Sequence, residues 1–166
     1  MMIAPSNDQL KVWYTTNIED ALALFEKQAP HKTSLIYSDW ETLPYLSLAD
    51  NLYLGVPRKM RKVKNNYEFF QLLGFDPSIL RRPLKDISRF QQLRLAILQQ
   101  LLREPEQLLF VDVTEKLSIN ETQELLHLVY QVLDKQPIKA LFLTQNASFA
   151  NSLQQVIQST QTSKKP

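Results

Sequence analysis

The chain has 166 residues, 44% hydrophobic and 22% charged, with a formal net charge of +2 and no cysteine. That balance and length describe an ordinary globular chain of one domain, large enough to bury a sizeable core. They exclude disulfides and thiolate metal sites. No uninterrupted apolar run approaches the ~20 residues that span a bilayer. The N-terminus also lacks the basic and apolar regions of a signal peptide, so the cytoplasm is the expected location.

Lys11-Val12-Trp13-Tyr14 reads as a short strand of β-formers. Thr15-Thr16-Asn17 supplies turn and N-cap residues, and Glu19 and Asp20 follow where acids suit a helix dipole. Ile18, Ala21, Leu22 and Phe25 recur at helical spacing, predicting a helix to about Gln28 that Pro30 ends. Ser34-Leu35-Ile36-Tyr37 is a second short strand, and Ser38 to Pro44 a loop. Ser47 caps a short helix stopped by Gly55, and Asn66 to Leu73 forms another closed by Gly74. A short turn or helix runs from Asp76 to Leu80. Phe90, Leu93, Ile97 and Leu101 give one buried stripe to a helix from Arg89 to about Arg103, capped by Asp86 or Ser88.

Leu108-Leu109-Phe110-Val111 and Ala140-Leu141-Phe142-Leu143 are continuous apolar runs, the pattern of strands buried on both faces of a parallel sheet. Between them Ser118 caps a helix over 120–135, and Asn146 opens a last helix to about Gln158. The expected fold class is α/β: a mostly parallel sheet flanked by helices, with a helical subdomain over about 47–103. One domain over 1–158 and a flexible tail over 159–166 complete the expected organisation.

Charge is unevenly spread. Residues 58–103 carry 11 basic and 3 acidic side chains, whereas 1–57 carry 3 and 7. Arg58-Lys59-Met60-Arg61-Lys62-Val63-Lys64 concentrates five cations in seven residues and is expected as a solvated connecting loop. Such a basic surface could meet anionic lipid or nucleic acid, but no aromatic residue interrupts the run to stack on bases. His31 and His127 have no partner at metal-ligand spacing, so no metal site is expected. His127 falls in a helical pattern and is expected to be partly buried.

Two stretches carry a family resemblance. Leu43-Pro44-Tyr45-Leu46-Ser47-Leu48-Ala49-Asp50-Asn51-Leu52-Tyr53-Leu54-Gly55 resembles the segment after the Q-loop in the ATPase subunits of ABC transporters. Ile87-Ser88-Arg89-Phe90-Gln91-Gln92-Leu93-Arg94-Leu95-Ala96-Ile97, followed by Leu101-Leu102-Arg103-Glu104-Pro105-Glu106, resembles that family's signature helix. Leu72-Leu73-Gly74-Phe75-Asp76-Pro77 and Arg81-Arg82-Pro83 lie between them in the family's order. The resemblance implies a P-loop NTPase fold of the ABC ATPase type.

The same resemblance places the family's chemistry on residues that do not suit it. The turn that corresponds to the phosphate-binding P-loop, 14–20, has no glycine and no lysine, and the chain has only two glycines, Gly55 and Gly74. The Q-loop glutamine falls on Ser38, and the signature glycines give way to Ser88-Arg89-Phe90-Gln91. Asp112 takes the place of either the metal aspartate or the catalytic glutamate, depending on register, and one of the two acids is absent in both. The switch histidine falls on Gln145, followed by Asn146. The implied protein is a degenerate, truncated ATP-binding subunit and a pseudo-ATPase, with neither ATP nor magnesium expected as cofactor.

Its expected role is accessory or regulatory binding, with a membrane permease or an intact ABC ATPase subunit as partner. Peripheral membrane association through that partner, and a hetero- or homodimer, are compatible with it. Trp40, Leu43, Pro44, Tyr45, Phe69 and Phe70 are the candidate docking residues, and Arg58, Lys59, Arg61, Lys62 and Lys64 the candidate basic surface. Two alternatives stay open: a non-hydrolytic half-site in a heterodimeric ATPase, and a nucleic-acid-binding regulator using residues 58–64.

Overall fold

A computed structural model describes residues 9–28 and 32–162. The chain divides into two compact units, one of residues 1–38 with 105–166 and the other of residues 39–104.

The first unit is built on four parallel strands. β1 (Leu10–Tyr14) is followed by α1 (Ile18–Glu26) and β2 (Thr33–Tyr37); β3 (Gln107–Val111) precedes a later helix and β4 (Lys139–Thr144). The sheet order is β1-β4-β3-β2, with every pairing parallel. The two continuous apolar runs take the two central places, as their lack of alternation requires. Leu108, Leu109, Phe110, Phe142 and Leu143 are all essentially inaccessible to solvent. β1 and β2 form the edges and are mostly part-buried or exposed, with Leu10 and Ile36 their buried residues.

Each face of this sheet has a helical cover. On one, Ala21 of α1 packs with Leu109, Val111 and Leu143, with Trp13, Leu22 and Phe25 around them. On the other, Phe110 stacks on Phe142 at 4.5 Å, and Phe142 meets Phe149 edge-on at 5.7 Å. Phe149 belongs to the last helix, numbered α6 below. The unit is therefore a parallel-sheet α/β fold with flanking helices.

In the second unit, α2 (Leu48–Tyr53), α3 (Val63–Leu72) and α4 (Arg89–Leu102) are joined by 3-10 turns at Arg58–Arg61, Pro77–Arg81 and Leu84–Asp86. The basic run expected as a loop is thus a 3-10 turn leading into α3, because Met60 is drawn into the core. Both glycines sit in the left-handed region, Gly55 at φ +71° and Gly74 at φ +75°. Gly74 closes α3 with a backbone bond from Phe75 N–H to Phe70 O of 2.8 Å, the 6→1 bond of a Schellman cap.

Each glycine also makes room for an arginine of α4. Arg103 donates through Nη2 to Leu54 O at 2.7 Å, and Arg94 through Nη1 to Leu73 O at 3.0 Å. A Cβ on Gly55 would lie 2.8 Å from Arg103 Nη2, and one on Gly74 2.9 Å from Arg94 Nη1. The guanidinium of Arg94 is sandwiched further, 4.5 Å from the Phe75 ring centre and 5.4 Å from that of Phe90. Buried Gln99 completes the fastening, donating to Asn51 O and Leu52 O while accepting from Trp40 Nε1–H at 3.3 Å.

α5 (Ile119–Lys135) and α6 (Ala147–Thr162) close the first unit. α6 runs past Gln158 to Thr162, into the segment expected as a tail, with no glycine or proline between to stop it. Only 163–166 of that tail lie outside the described residues. α1 ends at Glu26 rather than Gln28. His127 is exposed on α5, 3.2 Å from Gln131 Nε2, rather than partly buried, because the apolar face of α5 falls on Leu125, Val129, Val132 and Leu133. His31 lies outside the described residues.

Replacing Gly74 with alanine should lower stability by about 1–2 kcal/mol through the left-handed backbone alone. The midpoint of urea unfolding should fall with its slope unchanged; an unshifted midpoint would show that the turn does not require a left-handed backbone at Gly74.

Candidate functional site

The parallel register brings all four strand ends to one side. Tyr14 stands opposite Thr144, Val111 opposite Leu143, and Tyr37 opposite Val111. A cavity of about 480 Å³ opens beyond these carboxyl ends, the place where open α/β sheets hold ligands. The β1–α1 turn contributes Thr16 to Glu19, β2 ends in Tyr37 and Ser38, β3 ends in Val111 and Asp112 with Glu115 beyond, and β4 leads to Gln145.

Ser38, Asp112 and Gln145, far apart in sequence, therefore meet on one cavity. Tyr37 and Glu115 join them without having been singled out from the sequence. Glu115 lies three residues beyond Asp112 in a 3-10 turn, Val113–Lys116, whose spacing could have revealed it.

Asp112 is the hinge of the arrangement. Its backbone is left-handed, at φ +50°, a conformation that aspartate tolerates better than most residues. Its N–H donates to Leu143 O at 2.7 Å. Its Oδ1 accepts from the Gln145 N–H at 3.1 Å and faces Thr144 Oγ1 at 3.5 Å. The carboxylate thus ties the end of β3 to the end of β4. Thr144, 1% exposed, accepts in turn from Asn146 N–H at 3.0 Å. Asn146 then caps α6 by accepting from Phe149 N–H.

The β1–α1 turn is similarly occupied with itself. Thr15 N–H donates to Thr144 O, Thr15 Oγ1 accepts from Asn17 N–H, and Asn17 Oδ1 accepts from Asp20 N–H at 3.1 Å. Glu19 and Asp20 stand in the first turn of α1, against the positive end of its dipole. Among the described residues the cavity lining carries three carboxylates, Glu19, Asp112 and Glu115, and neither lysine nor arginine. Among the described residues no three His, Asp or Glu side chains are grouped to hold a metal ion.

In the second unit, Ser88 and Gln91 form a capping box on α4. Ser88 Oγ accepts from Gln91 N–H at 3.1 Å, and Gln91 Oε1 accepts from Ser88 N–H at 2.9 Å. Two of the candidate docking residues are corrected by burial. Trp40 is 8% exposed, its indole held by Gln99, and Phe70 is fully buried on the inner face of α3. Leu43, Pro44 and Tyr45 do reach solvent, Tyr45 at 79%, while Phe69 is partly buried. That exposed loop is pinned from beneath: Asn51, 1% exposed, accepts from Leu43 N–H at 2.7 Å and donates to Leu43 O, Leu46 O and Ser47 O. Arg58, Lys59, Arg61, Lys62 and Lys64 are all exposed.

The role of Asp112 as a tie between strands predicts a graded response. Asp112→Asn keeps a short acceptor and tolerance of positive φ, and should stay within about 0.5 kcal/mol of the parent. Asp112→Val loses both and should cost about 2–3 kcal/mol, read as the thermal unfolding midpoint. Equal effects of the two substitutions would refute the tie.

No protein-family model matches the chain. It is 28% identical over 116 residues to the Fe(3+) ions import ATP-binding protein FbpC 2 of Rhodococcus jostii (strain RHA1), covering 69% of this chain and 34% of the relative. Over 83 residues it is 35% identical to the molybdenum import ATP-binding protein ModC of Rhodobacter capsulatus, covering 48% of this chain and 23% of that protein. Among solved structures, cbiO1 from Clostridium perfringens, part of the ABC transporter complex cbiONQ, superposes with a TM-score of 0.69 at 14% identity, over 84% of this chain and 68% of that one. The chain spans about a third of the length of the first curated relative it matches. Its fold is that of ABC ATPase domains, and its sequence is similar to ABC-transporter ATP-binding proteins.

Proposed function

We propose that this chain is a degenerate ABC-ATPase-like protein that works by binding, as an accessory or regulatory component of an ABC transporter system, and does not hydrolyse ATP. The observation that carries the reading is the state of the β1–α1 turn. A phosphate cradle needs backbone N–H groups that converge on empty space, close approach without a Cβ, and a cation. Here Asn17 already takes up the Asp20 N–H, the turn has no glycine, and Glu19 and Asp20 occupy the end of the dipole. Among the described residues the rest of the lining adds Asp112 and Glu115 and no cation. Such a donor set repels a triphosphate and does not fit ATP with magnesium.

Two further observations support a binding role. One oxygen of the Asp112 carboxylate, Oδ1, holds β3 to β4, and the Ser88–Gln91 pair caps α4. On this reading the places where the family keeps its chemistry hold residues that serve the fold's mechanics. In contrast, the Leu43–Tyr45 loop is presented to solvent on a buried asparagine anchor. An exposed apolar loop suits contact with a protein partner; the relatives are named import ATP-binding proteins, and we take a permease or an intact ATPase subunit as the partner class.

Isothermal titration of the full chain with Mg-ATP should give no binding heat into the millimolar range. Micromolar binding, or phosphate release abolished by Asp112→Asn, would overturn the reading. Tyr45→Ala, at an exposed position, should leave folding intact and weaken capture of a co-expressed permease or ATPase subunit; undiminished capture would remove the loop from the contact.

A further inference from the structure

Five cations stand between Leu54 and Phe69 against one acid, Glu68, and their setting is more ordered than a solvated loop requires. Met60, in the middle of the run, is 7% exposed and acts as an anchor. Its carbonyl accepts from Asn66 Nδ2 at 2.9 Å, and Asn66 is itself fully buried. The turn is fixed on both sides. Arg61 Nε donates to Val56 O at 3.0 Å, Asn65 Nδ2 donates to Lys59 O, and Lys62 O receives the N–H groups of Asn65 and Asn66. Backbone order over 56–66 is therefore bought out of the interior while the charged ends stay outside.

Apolar side chains are placed among those charges. Val63, flanked by Lys62 and Lys64, is 58% exposed, and Tyr67, one helical turn along α3, is 45% exposed. Leu54, just before the turn, is 41% exposed. Lys59 pairs with Glu104 at 3.3 Å with both groups in solvent, a contact worth little.

We infer that this turn seats the chain on an anionic lipid surface, with no second protein required. Charge complementarity selects a negatively charged partner. The aliphatic and tyrosyl groups among the cations select one that also offers an apolar layer directly beneath its charges, which a bilayer interface provides and a phosphodiester backbone does not. The inference is independent of the proposed protein partner and of nucleotide binding.

Sedimentation of the full chain with vesicles tests it. Vesicles of phosphatidylcholine with about a third phosphatidylserine should bind the chain, pure phosphatidylcholine should not, and added salt should weaken the binding. Each cation contributes roughly fivefold in partitioning, so the triple variant Arg58→Glu, Lys62→Glu, Lys64→Glu should lose about a hundredfold or more. Val63→Ser keeps every charge and should lose about threefold at unchanged circular dichroism, since only its apolar contact is removed. Absence of binding, equal binding to neutral vesicles, or full retention by the triple variant would overturn the inference. So would displacement of the chain from vesicles by a DNA duplex or polyglutamate at equal charge concentration together with no effect of Val63→Ser, which would assign the turn to nucleic acid or an acidic protein.

Discussion

The common direction of the four strands governs everything at the candidate site. In a parallel sheet the carboxyl ends all emerge on one side, and with β4 inserted between β1 and β3 the register holds those ends level. That constraint, and no local sequence feature, places Ser38, Asp112 and Gln145 on one cavity. A one-residue slip of β4 would exchange Phe142 and Leu143 between faces and break both the Phe110–Phe142 stack and the cluster under α1. Core packing and site geometry are thus two readings of the same register.

At the strand ends, polar groups that could face a ligand are turned toward one another. Thr15, Asn17, Asp112, Thr144 and Asn146 form a connected set of caps and cross-ties. Each bond satisfies a backbone group that the end of a strand or the start of a helix leaves open. The fold still provides a concave mouth there, lined by Glu19, Asp112 and Glu115.

The strongest patterns in the sequence were the most informative. The runs at 108–111 and 140–143 announced central parallel strands because a strand buried on both faces has no polar side to show. Ser47 and Ser118 announced helix starts because a hydroxyl at the N-cap has one physical use there, and each accepts the expected N–H; of the two caps open for α4, Ser88 and not Asp86 takes the place. Harder to read were residues whose role is set by distant neighbours. Trp40 and Phe70 looked like docking aromatics, since an aromatic side chain serves a core and an interface equally well, and only the position of Gln99 and the inner face of α3 decides between them. Gln99 itself interrupts an apolar helix face in sequence, with no local sign that two helix carbonyls and an indole await it. Asp112 fits two family registers, and its strand-tying bonds depend on β4, which lies about thirty residues on.

The pairing of each glycine with an arginine has a further consequence. Arg94, Gln99 and Arg103 all project from α4, and between them they fasten the carbonyl ends of α3 and α2. A single helix therefore serves as the clasp for two others. Neither α2 nor α3 can fray at its C-terminus without first releasing a side chain from α4, so residues 39–104 should exchange their amide hydrogens as one cooperative group rather than helix by helix.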